Sequence, residues 1–155
     1  DQAETPYVLP LDADNRLRPA ACERLLAAIA PTDAAFVHPL IQTFGERSEV
    51  LGRHPYTPNR LVGANTIDAM ALIARAAWAE AGGYDDVQYG WEDYDLWCRF
   101  AERGLAGLHL ADILADYRTH PNSMIHADTE QPDQRRALIA DMESRHPWLR
   151  LTGRR

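Results

Sequence analysis

Tyr7-Val8-Leu9-Pro10-Leu11-Asp12-Ala13-Asp14-Asn15 sets an apolar, partly β-branched run against a polar tail. That order describes a buried strand entering a polar loop. Pro10 has no N–H to give to a ladder, so it marks the strand's end or an unpaired side. In open α/β sheets ligands bind at the carboxyl ends of strands. Two carboxylates placed there, Asp12 and Asp14, suit a hard cation such as Mg or Mn that bridges phosphate oxygens. A plain turn wants the same residues, because Asp and Asn bond their own backbone. An EF-hand starting at Asp12 fails, since Arg16 and Leu17 stand where a ligand and the sharp-turn glycine belong.

Downstream, Pro19 followed by Cys22, Leu25, Leu26 and Ile29, with Pro31 closing the element, predicts an amphipathic helix. Residues 36–41 read as a second strand weakened by Pro39. Residues 42–60, rich in Gly, Pro, His and Arg, read as a long loop. After a short apolar run at 70–73, a helix over 75–81 is stopped by Gly82-Gly83. Further expectations are a helix over 92–103 with Leu96, Trp97 and Phe100 on one face and Gly104 as its stop, a strand over 113–117, and a helix over 132–145 with Leu138, Ile139 and Met142 in a stripe. Strands and helices alternate, which is the α/β class.

Two more clusters carry chemistry. Gly90-Trp91-Glu92-Asp93-Tyr94-Asp95-Leu96-Trp97 crowds three carboxylates into the start of a helix, where N–H groups and the dipole favour them as simple caps. The same crowding raises the proton affinity of one carboxylate through its neighbours' charge, which suits a general base. Trp91 offers a flat apolar face that suits a sugar ring or a core. Tyr117-Arg118-Thr119-His120-Pro121-Asn122-Ser123, with His126 soon after, puts histidines on a loop after a strand, a placement that fits a metal ligand. His38, His54, His109 and His146 have no partner pattern and read as structural.

With 155 residues, 46% hydrophobic and 25% charged, the chain has material for one domain with a sizeable core. Its net charge of −7 argues against a nucleic-acid partner, because that binding needs Lys and Arg on phosphates. Every basic residue is Arg, so a phosphorylated ligand needs a bound cation or a few placed arginines. Cys22 and Cys98 lack metal spacing and read as reduced core thiols. No apolar run reaches membrane-span length, and residues 1–10 lack the order of a signal peptide. The expectation is a cytoplasmic chain, at most peripheral at the inner face of the membrane.

YVLPLDADN, a Pro-initiated helix, ARAAWAEAGGYDD, GWEDYDLWCRFAERG and ADYRTHPNSM, in this order, resemble the second half of family 2, GT-A type glycosyltransferases. The resemblance covers about residues 7–124, and the pairing of GGYDD with GWEDYDLW is its most specific part. It implies a partial GT-A, Rossmann-like mixed sheet flanked by helices. Residues 1–131 would form the catalytic, acceptor-side part, with 132–155 a helix and tail packed on it. Asp12 and Asp14 would be the metal- and donor-binding Asp-x-Asp, with Asp14 on the metal and Asp12 nearer the donor's ribose or sugar. His120 would complete the metal set, Asp93 would be the catalytic base, and Trp91 with Glu92 would meet the acceptor. The partners implied are a nucleotide-sugar donor, a sugar or other hydroxyl acceptor, and Mn or Mg. Residues 131–136 lack the Trp of the processive Gln-x-x-Arg-Trp motif, so single, inverting transfer is expected. The N-terminal, nucleotide-binding half is expected to be missing, with self-association through the exposed sheet edge. The alternatives are an Asp-x-Asp metal-dependent phosphatase, which would want Thr or Val at Arg16 and a later Lys, a nucleotidyltransferase domain, or a non-catalytic interaction module.

Overall fold

The computed structural model describes residues 3–121 and 131–152. In chain order the elements are β1 (Tyr7–Val8), β2 (Arg16–Leu17), α1 (Ala21–Ile29), β3 (Phe36–Gly45), β4 (Val50–Leu51), α2 (Pro58–Leu61), β5 (Leu72–Ala74), α3 (Arg75–Ala81), α4 (Glu92–Glu102), β6 (Gly107–Thr119) and α5 (Pro132–Arg145). The strands form one mixed sheet in the order β1-β5-β3-β6-β2, with β4 on β3. Only β3 and β6 run parallel; the other pairs are antiparallel. The α/β expectation of a mixed sheet flanked by helices holds.

The central strand explains the layering. Phe36 and Val37 are both fully buried and point to opposite faces, as a strand covered on both sides requires. Phe36 joins Trp97 and Phe100 of α4, Ile73, and Leu138 and Met142 of α5 in one core. Val37 joins Leu25 and Ile29 of α1 with Leu72 and Leu114 in the other. Gly107 is required where β6 passes Phe36, since a Cβ there would lie 2.2 Å from the ring's Cζ. Gly82 closes α3 at φ 88°, a left-handed position that glycine takes without strain. The helices expected over 75–81 and 132–145 form with those bounds.

Several expectations are corrected. The strand after residue 7 is two half-buried residues at the sheet's edge, not a buried run to Leu11. β3 passes through Pro39 by shifting register around Leu40, and so reaches Gly45. The supposed loop over 42–60 therefore holds the end of β3, β4 and α2. β6 starts at Gly107, well before residue 113. α1 buries Ala21, Leu25 and Ile29, leaving Leu26 and the Cys22 thiol exposed; only Cys98 is a core thiol. His38 stacks on His109 at 4.8 Å, and burial, ahead of that neighbour, pushes its pKa down to about 4. Among the described residues, no helix is long and apolar enough to cross a membrane.

Candidate functional site

The antiparallel pairing of β1 with β5 sets Tyr7 opposite Ala74 and Val8 opposite Ile73. Beyond those pairs the loop holding Asp12 and the turn holding Asp68 and Ala69 line the same cleft. Asp68 is held there by the Met70 N–H, which donates to Oδ1 at 2.9 Å. On the other side, buried Asn15 ties the Asp12 loop to β6. Its Nδ2 donates to Asp12 Oδ2 at 3.1 Å, and its Oδ1 accepts from the Arg118 N–H at 2.8 Å. The result sets Asp14 Oδ2 3.2 Å from His120 Nε2, across 106 positions of sequence. Both side chains are partly exposed.

The third approach to the site is the start of α4. Tyr89, Gly90 and Trp91 all have positive φ, at 74°, 101° and 68°. Two consecutive non-glycine departures around a glycine store about 1–3 kcal/mol each, strain that persists where the surroundings over-determine it. The turn puts Trp91 and Asp93 on one cleft of about 390 Å³, whose other polar walls are Asp12, Asn65, Thr66, Asp68 and Tyr117. Trp91 makes no side-chain cap to the helix. Asp93 Oδ1 instead accepts from the Tyr94 N–H at 2.7 Å, and Oδ2 accepts from Asn65 Nδ2 at 2.9 Å.

The electrostatics follow from putting carboxylates together out of water. Burial, then the charges of Asp68 and Glu92, pushes Asp93 up to about 7 against its two hydrogen bonds. Burial also pushes Asp68 up to about 6, with Asp12 adding to it, and raises Asp12, with Asp14 adding to it. Tyr117 is pushed up to about 12 by burial and then by Asp68, Asp12, Asp14 and Asp93 together. A group half-protonated near neutrality is well matched to proton transfer at that pH.

Of the residues expected at a site, Asp12, Trp91 and Asp93 line one cleft, and Asp14 and His120, from the segments before β2 and after β6, form a contact pair that is not part of its wall. Glu92 is half-buried beside Asp93 and is not part of the cleft's wall. Asp95 goes elsewhere, buried against Arg99 and His146 at 2.7 and 3.0 Å. His126 lies outside the described residues. Asn65 and Asp68 were not anticipated. The available signal was weak: two Asx residues just before the apolar run at 70–73, mirroring Asp12 just after one.

Among the described residues, no group of three or more His, Cys, Asp and Glu side chains could by itself hold a metal ion. The Asp14 and His120 pair offers two donors, a carboxylate oxygen of the type that suits Mn or Mg and an imidazole nitrogen that softer divalent ions prefer, so an Mn or Mg ion there would need phosphate oxygens and water for the rest of its shell.

No family model matches the chain, and no curated protein matches it. Among solved structures it is similar to TarS of S. aureus, residues 1–349. Against the complex with UDP-GlcNAc the TM-score is 0.72 at 11% identity, covering 93% of this chain and 43% of that one. Against the UDP complex the values are 0.62, 14%, 98% and 50%. Against TarS 1–349 itself they are 0.61, 13%, 94% and 48%. At such identity the likeness establishes a shared fold, and the chain spans half or less of the TarS structures it matches.

Proposed function

We propose that this chain is the acceptor-side, catalytic part of a family 2, GT-A type glycosyltransferase, which moves a sugar from a nucleotide-sugar donor to an acceptor hydroxyl. The observation that carries the reading is the convergence of Asp12, Asp68 and Asp93 on one Trp-walled cleft, with Asp93 pushed up to about 7. The shared fold with TarS, solved with UDP-GlcNAc and with UDP, supports the same class of donor.

In this reading Asp14 and His120 would hold Mn or Mg, with the donor's phosphate oxygens and water completing its shell, while Asp12 would lie nearer the donor's ribose or sugar. When bound, that cation neutralises charge on the donor's diphosphate. Trp91, which walls the cleft, seats the acceptor, and Glu92 acts from outside that wall through its charge on Asp93. Asp93 takes the proton from the acceptor hydroxyl while that oxygen bonds to the anomeric carbon and the carbon–oxygen bond to the diphosphate breaks. The nucleoside diphosphate leaves from the opposite side, so the configuration inverts, and one sugar is added per encounter.

Two variants separate the roles. In the protein joined to its expected nucleotide-binding half, Asp93→Asn keeps metal-dependent donor binding and loses roughly 10²- to 10⁴-fold in turnover, the range for removing acid–base catalysis. Asp14→Asn weakens donor binding and its dependence on Mn or Mg. Calorimetry with UDP-, GDP- and dTDP-linked sugars, with and without metal, is run beside a nucleotide-release assay. Unchanged turnover in Asp93→Asn sinks the base assignment, and equal loss of donor binding in both variants moves Asp93 into the metal site.

A further inference from the structure

The loop between α2 and β5 is built to hold one amide still. Ile67, 2% exposed, is fixed through both peptide groups that flank it: its N–H donates to Asn65 Oδ1 at 3.2 Å, and its carbonyl accepts from Trp97 Nε1 at 3.1 Å. Trp97 is itself fully buried in α4. The loop is thereby bolted to the helix that carries Asp93. Because Asn65 Oδ1 is taken by an N–H, its Nδ2 is the group left to face Asp93 Oδ2, at 2.9 Å. The flipped amide would set oxygen against carboxylate and N–H₂ against N–H, so the network admits one orientation.

We propose that Asn65 is the positioning residue for Asp93, fixing the carboxylate's rotamer from a separate loop so that it meets the acceptor hydroxyl in one geometry. This rests on the reading of Asp93 as the base. The Tyr94 N–H and Asn65 Nδ2 each take one Asp93 oxygen, from two different elements, and together they remove the side chain's rotational freedom. Each oxygen keeps a further acceptor direction for a substrate proton. The Asn65 bond also favours the charged form, opposing the burial and the Asp68 charge that push Asp93 up. Without it the base would be protonated over more of the neutral range. A misplaced or protonated base loses rate at the chemical step and leaves donor binding alone.

The test is a titration of the chain itself. Carboxyl-labelled aspartate, followed by ¹³C NMR, reports Asp93 directly, with Asp93→Asn identifying its signal. In Asn65→Ala the Asp93 titration moves up by roughly one pH unit, the size expected for losing a hydrogen bond to the ionised form. Asn65→Asp keeps the shape and removes the donor, so the pair titrates in two steps with the upper one above the wild-type value. It also stands in if the alanine variant does not fold by circular dichroism. With UDP-GlcNAc as probe donor, both variants lose about tenfold or more in kcat at pH 7 with donor KM unchanged. Wild-type Asp93 titration in both Asn65 variants, or a loss confined to donor KM, overturns the proposal. Full turnover in Asp93→Asn overturns the base reading instead, and the two failures are thus told apart.

Discussion

His146→Gln asks whether the segment after α5 is docked by an ion pair or by packing alone. His146 is 2% exposed and lies between Asp95 Oδ1 at 3.0 Å and Glu102 Oε1 at 2.7 Å. Both ring nitrogens face carboxylates, so both must donate, and the geometry requires the imidazolium. Breaking a buried pair by removing one partner costs about 3–5 kcal/mol. Arg99 remains on Asp95 at 2.7 Å and Arg145 stays 3.8 Å away, which places the loss at the lower end, about 3 kcal/mol. For a chain of this size that lowers the melting temperature by roughly 6–12 °C. The pH dependence is the sharper mark. Burial pushes the His146 ring down, but hydrogen bonds to Asp95 and Glu102 outweigh it and hold its pKa above the ordinary 6.5. A raised pKa means the stabilisation is full below the unfolded value and is lost as pH rises through the folded one. Burial likewise pushes Asp95 up, but bonds from His146 and Arg99 win and hold it low, so its share is lost only in acid. Urea unfolding of both proteins from pH 5 to 10 should therefore show a gap that is wide near pH 6 and closes in alkali. A gap independent of pH, or smaller than about 1 kcal/mol throughout, would refute the ion-pair account.

Asp93→Asn should stabilise the fold while cutting turnover roughly 10²- to 10⁴-fold. The carboxyl rises from 3.8 to about 7 on folding, which disfavours the folded, ionised state above pH 7; the neutral amide removes that penalty but must turn its N–H₂ toward Asn65 Nδ2 or the Tyr94 N–H, which leaves a net gain of roughly 1–3 kcal/mol at pH 8 and a loss near pH 4. Denaturant midpoints at the two pH values check it, and a destabilised variant at pH 8 would mean the charge is not held in a hostile site. Ala20, exposed at the start of α1 with φ 63°, carries a Cβ in a left-handed position, so Ala20→Gly should add about 0.5–1 kcal/mol. Calorimetric melting that falls rather than rises would contradict that backbone geometry.

The helices were legible because their ends are written in residues that stop or start a helix for local reasons. Gly82 and Gly104 take left-handed backbone after α3 and α4, and Pro132 opens α5 without needing an N–H. The strands were less so. β1, β2 and β4 are two residues each and exist through their partners, which no local pattern announces. On α1 the expected Leu25 and Ile29 are buried, and only the edge of the face was misread, because of alanine: Ala21 packs inward while Cys22 and Leu26, more apolar by type, point out. At the site, Asp12, Asp14, Asp93 and His120 were found through motifs. Asn65 and Asp68 were not, because the antiparallel register of β1 on β5 and a bolted loop place them, and neither leaves a periodic trace.

The acidic cluster Glu92-Asp93-Tyr94-Asp95 shows how far one more step of sequence reasoning could have gone. Successive residues on a helix turn by about 100°, so Asp93 and Asp95 stand about 200° apart and cannot serve one site. A single cleft could claim only one of them, and the other had to find cations on the opposite side. Arg99 stands four residues after Asp95, on the same face, and meets it at 2.7 Å, an i,i+4 pair that the sequence alone displays. Asp93 has no such partner: Trp97 occupies the equivalent position, buried and apolar. Two carboxylates indistinguishable by type are thus driven in opposite directions: bonds from His146 and Arg99 hold Asp95 low against its burial, while burial and the charges of Asp68 and Glu92 push Asp93 up to about 7.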